Sequence, residues 1–486
     1  MNLNKLFTIL LFFYLPTIFA QSNIIFVKPN ATGSGKSWSD ATGNLRAALL
    51  NAAFGTEIWV SQGIYTPTKC TICNASERQK SFEIPNGVAV FGGFLGTETQ
   101  RDQRNWRANR TFLSGDIDAD GRATSNSYHV IYTQNVGDKM ILDGFTVSGG
   151  NADSSTTPGE RYSSGGAWYN DGRSGQIGSP TVRNCAFTRN FAIAFAGALY
   201  NNGGFNGYCY ATFENCQFVN NFSRKEGGAI FNSGVFGGIC NPTFTFCEFS
   251  GNRTEGSGGA IFNDAQKGRC EPIFTNCQFI KNEIVAERYG GAIYNLGKGG
   301  KCSPTITGCL FWANKAFSAA AVYCLGSEQG VSSPQITNCI FYKNEANTGG
   351  SVYANAGEAD VTGASTGESK PVISNSIFWA NKALTTRHLR NINGEPTLSF
   401  CIVDTTSCAA LHGGKGVGVN CGSGMIYNQN PLFVDADNGD FNLLPTSPAR
   451  DKGSNFLAKN LTLDLAAEPR IINDSIDIGA FEFNPK

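Results

Sequence analysis

The chain has 486 residues and a formal net charge of zero, with 58 glycines, 36 phenylalanines and 16 cysteines. A balanced charge excludes the basic footprint of a nucleic-acid binder or of a protein held on an anionic membrane. After the first 20 residues no segment is long and apolar enough to span a bilayer as a helix.

Residues 1–20 read as a secretory leader. Lys5 supplies the positive start, 6–15 is an apolar run ended by Pro16, and Thr17-Ile-Phe-Ala20 offers small residues before Gln21. Residues 21–80 are expected to form an N-terminal cap. Asn44 is placed to cap a helix over 44–53, and a strand follows over 57–61. A helix laid over an open strand edge shields it from unwanted pairing. Cys70-Thr-Ile-Cys73 pins a loop as a disulfide; by itself the spacing is half of a zinc site. Less regular strands follow within 81–150, and the polar stretch 151–164 reads as a loop leaving the body.

From Gly165 the sequence becomes periodic. Gly165-Gly-Ala-Trp-Tyr-Asn170 recurs with copies starting at Ala196, Gly227, Gly258, Gly290, Ala319 and Gly349, at spacings of 31, 31, 31, 32, 29 and 30 residues. A second phrase, Cys185-Ala-Phe187-Thr-Arg-Asn190, recurs from Cys216, Cys247, Cys277, Cys309 and Cys339, and from Ser376 with serine for cysteine. A fixed period of this length signals a stacked repeat. Its segments are aromatic and β-branched, bounded by Gly, Asn and Pro, so they are short strands. One coil cannot bury its own apolar face, whereas stacked coils can. The expected fold is a right-handed parallel β-helix over 81–428, most regular over 165–381, with a closing segment over 429–486.

Stacking turns each repeat position into a column. The phenylalanines from Phe187 to Phe378 are expected inside, with the cysteines two residues earlier on the same face. The asparagines from Asn190 to Asn381 are expected to form a ladder of amides. Arg253, Glu283, Lys315, Glu345 and Lys382 alternate in sign from coil to coil, which favours correct register. One residue beyond the phenylalanine column, Trp312, Tyr342 and Trp379 point outward. They form either a platform for sugar rings or a patch covered by the chain end.

Two further features bear on chemistry. Cys209, Cys240, Cys270, Cys302 and Cys401 each precede a second cysteine by seven residues, at Cys216, Cys247, Cys277, Cys309 and Cys408. Either each pair is a disulfide within one coil or the thiols are packed as small apolar groups. Asp116, Asp118 and Asp120 open like a calcium loop, but Ser127 stands where its closing glutamate belongs. Asp435, Asp437 and Asp440 form a second acidic turn. Each turn holds either a structural calcium ion or only water. No other cofactor signature is present. His129 reads as packed, and His388 and His412 have no evident partners in the sequence.

The two repeated phrases resemble the repeats of chlamydial polymorphic outer-membrane proteins and the parallel β-helices of the pectate-lyase-like superfamily. Phe26-Val-Lys-Pro-Asn30 and Asn86-Gly-Val-Ala-Val-Phe-Gly-Gly-Phe94 resemble the N-terminal part of large Bacteroidetes surface β-helix proteins. Ser447-Pro-Ala-Arg-Asp451, Pro469-Arg470 and Asp477-Ile-Gly-Ala-Phe-Glu482 resemble the choice-of-anchor Q domain. The resemblance implies a product of a Gram-negative bacterium that is secreted, on the cell surface or outer membrane, or periplasmic. No sorting module follows before Lys486, which favours release. Implied functions are adhesion or glycan binding without catalysis, with a polysaccharide or cell-surface glycan as partner. The alternatives are a polysaccharide lyase or glycoside hydrolase, for which Asp116, Asp118, Arg161 and Arg173 are the candidate catalytic residues, and a purely structural surface protein.

Overall fold

A computed structural model describes residues 23–71, 73–154, 159–348, 350–355, 366–384, 388–411 and 418–485. The expected leader and His412 lie outside these residues. The chain winds through four sheets, named I to IV in the order one coil visits them. In a central coil, Thr243–Thr245 belongs to sheet I, Glu248–Ser250 to sheet II, Arg253–Thr254 to sheet III and Ile261–Asp264 to sheet IV. Among the described residues these sheets contain thirteen, twelve, eight and ten strands. Neighbouring coils pair in parallel and residue for residue: Phe244 lies beside Phe274 and Phe249 beside Phe279.

The strands are short because the turns between them are fixed by sequence. Between sheets I and II the chain passes through the left-handed region at Asn184, Asn215, Asn276 and Asn338, with φ of 51°, 51°, 52° and 54°. Asparagine tolerates this conformation better than most residues. At the repeated Gly-Gly, Gly258 has φ of +74°, and a Cβ there would lie 2.4 Å from the Ile261 carbonyl oxygen. Ala196 and Ala319 hold the same conformation without glycine, at φ of 59° and 53°.

The core follows the columns. Phe187, Phe218, Phe249, Phe279, Phe311, Phe341 and Phe378 are buried and stacked face to face, with centroids 4.5–5.0 Å apart. Burying one such ring stabilises the fold by about 1.5–3 kcal/mol. The ladder from Asn190 to Asn381 is continuous. Asn221 Nδ2 donates to Asn252 Oδ1 at 3.0 Å and to the Phe187 carbonyl at 2.9 Å, so each amide ties three coils together. A second interior ladder runs through sheet IV, where Asn170, Asn201, Asn232, Asn263 and Asn295 bond in series at 2.8–3.0 Å. The alternating charges also align: Arg253 pairs with Glu283, Glu283 with Lys315, Lys315 with Glu345, and Glu345 with Lys382.

The cysteines correct one alternative. The Cys-x6-Cys pairs at 209/216, 240/247, 270/277 and 302/309 are not bridged; all eight thiols are free and buried. The two members stand in different columns. Cys240 lies under sheet IV, its thiol against the Asn201 carbonyl, whereas Cys247 lies beside sheet II, against the Phe213 carbonyl. Each thiol therefore neighbours its equivalent one coil away and not the other cysteine of its own coil. Cys401 is also free, and Cys408 is bonded to Cys421 instead. The Cys70–Cys73 bridge forms as expected.

Both ends are elaborated. The first strand, Ile24–Val27, joins sheet I beside Glu57–Ser61. A short helix, Leu45–Leu50, is capped by Asn44, which accepts from the Ala47 amide at 2.9 Å, and buries Leu45, Ala48 and Leu49. At the other end, a hairpin of Phe433–Asp435 and Asp440–Leu443 begins a segment that turns back along the flank of sheet II. Its backbone meets Asn276, Asn338 and Asn375, so it spans several coils instead of sitting over the last one.

Candidate functional site

The C-terminal flank decides the fate of the outward stripe on sheet II. Trp312 packs edge-on against Phe441 at 5.6 Å, and Tyr342 packs against Phe433 and Phe441 at 6.0 and 5.3 Å. Trp379 joins the same cluster. Trp312, Tyr342 and Trp379 are thus not the open sugar platform that one reading of the sequence gave them. The covering residues lie about a hundred positions away, which no local pattern displays. Asp437 serves this contact, accepting from the Tyr342 hydroxyl at 2.7 Å and pairing with Lys343 at 2.6 Å, while Asp435 holds Asn438.

A second aromatic face is on sheet IV, where the rings are themselves largely buried, Tyr200 at 5% and Phe231 at 3% exposure. Strand alternation sends Tyr132, Tyr169, Tyr200, Phe231, Phe262, Tyr294 and Tyr323 outward in one column, stacked at 4.7–6.3 Å. Two positions further along each strand a polar column contains Asp171, Asn202, Ser233 and Asp264. The turns on either side rise as walls. Between them lies a cavity of about 390 Å³, lined by Tyr200, Phe231, Phe195, Arg173, Asn202 and Asp264 among others. Phe205 and Phe236 stack at 5.3 Å on its rim and are about half exposed, at 52% and 42%.

The electrostatics of this cavity are distinctive. Burial pushes the Asp264 carboxyl up to about 6, and the like charge of Glu226 adds to the shift. Burial likewise raises Glu226. It also raises the Tyr200 and Tyr294 phenols, whose field includes Asp264. A carboxyl that lines a cleft and is perturbed by burial and a like charge marks a functional site more often than chance. Arg173 stands at the edge, its Nε 3.2 Å from the buried Asp171 carboxylate. The segment before Gly165 folds back over the first rings: Arg161 lies 3.5 Å above the Tyr132 ring centroid and Tyr169 donates to the Gly159 carbonyl at 3.0 Å.

The four candidate catalytic residues fall in two places. Arg161 and Arg173 belong to the sheet IV face, whereas Asp116 and Asp118 follow the sheet II strand Thr111–Ser114. Asp116, Asp118 and Asp120 offer one oxygen each within 4.8 Å of one another. Oδ1 of Asp116 and of Asp118 is buried without a hydrogen-bond partner. Burial raises the Asp116 carboxyl, and the charges of Asp118 and Asp120 act in the same direction. An all-oxygen set of this kind fits a hard cation such as calcium.

The two described histidines are packed inside the fold. His129 is buried between the Gly165 and Arg161 carbonyls, and burial lowers it to about 4. His388 is buried against the Asp404 carboxylate, a partner the sequence did not reveal. Asp264 and Glu226 were also missed. The signal available was period alone: Asp264 occupies the slot after the ladder asparagine, where serine stands one coil earlier.

With this geometry the chain is a parallel β-helix protein with long, parallel sheets. Residues 215–233 and 246–264 match the Chlamydia polymorphic membrane protein repeat. Among solved structures, pectate lyase Pel9A is similar at 16% identity and a TM-score of 0.52, covering 95% of this chain and 96% of that one. A PL6 alginate lyase in complex with a trisaccharide has 13% identity and a TM-score of 0.41, over 83% and 85% of the two chains. The catalytic unit of a GH87 α-1,3-glucanase from Streptomyces thermodiastaticus has 12% identity and a TM-score of 0.38, over 85% and 70%. No curated protein matches the sequence. At these identities the likeness is one of fold, and the site has to be argued from its own residues.

Proposed function

We propose that this protein is an exported, surface-associated β-helix that holds a glycan strand along the outer face of sheet IV. The cavity beside Tyr200 and Phe231 carries the reading: above a largely buried aromatic floor it presents the exposed rings of Phe205 and Phe236 and hydrogen-bonding Asn202, Arg173 and Asp264. Sugars are recognised by such mixtures of ring surface and fixed polar groups. Export rests on the leader-like residues 1–20, and a surface location rests on the matched repeats. Among the described residues no helix is long and apolar enough to cross a membrane.

A second reading is favoured by the same Asp264 carboxyl. A carboxyl raised to about 6, as Asp264 is by burial and by the charge of Glu226, is the kind of group that serves as general acid or base in glycoside cleavage. Both readings are tested by a screen of the mature chain, from Gln21, against neutral and acidic polysaccharides, following retention, reducing ends and unsaturated product together. Retention without product, lost in Asp264→Asn and Phe236→Ala, supports binding. Product formation abolished by Asp264→Asn establishes the enzyme instead. Neither retention nor product rejects the site. We further propose that Asp116, Asp118 and Asp120 hold a structural calcium ion. Calcium is then expected to raise the melting temperature of the wild type and leave Asp118→Asn unmoved; equal shifts reject the site.

A further inference from the structure

Residues 101–110 place an arginine at every third position: Arg101, Arg104, Arg107 and Arg110, with one acid, Asp102, among them. In a chain of zero net charge this is a local excess of cations. Two of the four are neutralised. Arg101 pairs with Glu57 at 2.7 Å and lies over the Phe91 ring, and Arg104 pairs with Asp143 at 2.8 Å. Arg107 and Arg110 are exposed and form no ion pair among the described residues.

Both residues line a groove of about 370 Å³ at the corner between sheets I and II, away from the sheet IV face. Trp106 forms one side, half-buried, with the Arg107 guanidinium 4.8 Å from its ring centroid. Asn184, Asn215 and Gln217 line the opposite side. Their amides are held in place by one another. Asn215 Nδ2 donates to Asn184 Oδ1 at 2.7 Å, and Asn184 Nδ2 donates to Asp143 Oδ1 at 2.9 Å. The nearby acids are engaged: Asp143 by Arg104, Glu214 by Arg183 at 3.2 Å, and Glu248 by the Ser250 hydroxyl at 2.6 Å and Gln217 at 3.1 Å.

We infer that this groove binds a uronic-acid residue of an acidic saccharide. A guanidinium meets a carboxylate with two parallel hydrogen bonds, which a neutral sugar does not offer. The positioned amides match ring hydroxyls, and the indole offers an edge for the apolar side of the sugar. A nucleic-acid partner would need a wider basic surface than two free guanidinium groups in a neutral chain. The site stands on observations separate from those behind the sheet IV groove.

The test titrates the full mature chain calorimetrically with hexagalacturonate, hexaguluronate and a neutral galactose hexamer. At least one acidic hexamer is expected to bind, with an affinity that falls as salt rises, and the neutral hexamer to bind at least tenfold more weakly. Each arginine replaced by alanine is expected to weaken binding about tenfold. Both side chains are exposed, so Arg107→Ala and Arg110→Ala are expected to melt with the wild type. The pair Arg107→Lys and Arg110→Lys keeps the charge and is expected to recover only part of the affinity. Asp264→Asn is titrated alongside. A loss confined to the arginine variants assigns the site. Equal binding of the neutral hexamer, equal losses in the arginine and Asp264 variants, or no binding of either acidic hexamer overturns it.

Discussion

The outward faces of sheets II and IV each carry a column of aromatic rings, and the two columns meet different fates. On sheet II, Trp312, Tyr342 and Trp379 are packed under the C-terminal hairpin, against Phe433 and Phe441. On sheet IV, Tyr200 and Phe231 are buried by stacking on their own kind, without a chain end above them, and they floor a cavity beside Asp264. Alternation along a strand decides that a ring points outward. It does not decide whether another part of the chain will cover it. An outward aromatic stripe in a solenoid is a binding surface only after the chain ends have been placed.

The largest effect is expected where the cover is clamped. Arg470 is 1% exposed, 3.5 Å from the Glu482 carboxylate, and donates to the Asp477 and Gly479 carbonyls at 2.8 and 2.6 Å. Arg470→Ala leaves the Asp477 and Gly479 carbonyls and the Glu482 carboxyl buried without their donor, at a cost of about 1–3 kcal/mol for each unsatisfied group. The flank is expected to detach while the coils remain, so Trp312 and Trp379 become exposed. A red shift of tryptophan emission with new protease cuts after 429, and unchanged far-ultraviolet dichroism, is the expected signature; a flank still protected refutes the clamp. The clamp is also pH-dependent. Burial outweighs Arg470 and pushes Glu482 up to about 8, above its unfolded value. The protonated form is thus the one the fold favours. The contribution is fully present below the unfolded value and is lost as pH rises through about 8. Glu482→Gln is expected to remove this alkaline loss.

The sheet IV face predicts a smaller, separate pH effect. Asp264 is also raised, to about 6, so its fold-stabilising form is again the neutral one. Stability attributed to it is present below the unfolded carboxylate range and lost as pH rises through about 6, by about 1–3 kcal/mol. Asp264→Asn is expected to flatten the melting curve between pH 4 and 7 without exposing the tryptophans. If Asp264→Asn releases the flank, or Arg470→Ala alters the pH 4–7 profile, the two faces are not independent.

How much of this was legible in the sequence follows from how local each determinant is. The coil, its phenylalanine stack and the ladder from Asn190 to Asn381 depend on neighbours one period away, and a period is visible in the sequence. The second ladder, through Asn170 and Asn201, was equally periodic, since each amide ends the Gly-Gly phrase. The cysteine spacing misled because seven residues along the chain lead from the end of sheet IV through a whole sheet I strand to the start of sheet II, and sequence distance hides that change of column. Cys408–Cys421, His388–Asp404 and the cover over Trp312 join irregular segments, where no repeat fixes who meets whom. Asp264 and Glu226 stand at periodic positions, but neighbouring coils place other residue types there, Ser233 beside Asp264 and Ser257 after Glu226, so repetition could not mark them.

A finer cut is available within the covered face. Tyr342→Phe keeps the ring against Phe441 and removes only the hydroxyl that donates to Asp437. Lys343 still neutralises that carboxylate, so the loss is expected near 1 kcal/mol, without release of the flank. Release on this change alone would mean that the polar contact, and not aromatic packing, holds the cover.

The smallest effect is expected on sheet III, which belongs to neither face. Arg253 and Glu283 pair at 3.0 Å with 55% and 39% of their side chains exposed. Exposed pairs of this kind contribute about 0–1 kcal/mol. Arg253→Ala is therefore expected to change stability by less than about 1 kcal/mol, and the difference to shrink further above 0.5 M salt, where screening reaches within about 5 Å. The alternating column suggests a different role, in register: a coil shifted by one place would set Glu283 beside Glu345 and Arg253 beside Lys315. Reversing one sign, as in Glu283→Lys, places three cations in series at 253, 283 and 315. Charge reversal is then expected to slow refolding more than it lowers stability, because a mispaired coil is no longer disfavoured while the native core is unchanged. A refolding rate equal to that of Arg253→Ala would show that the phenylalanine stack and asparagine ladder set register alone.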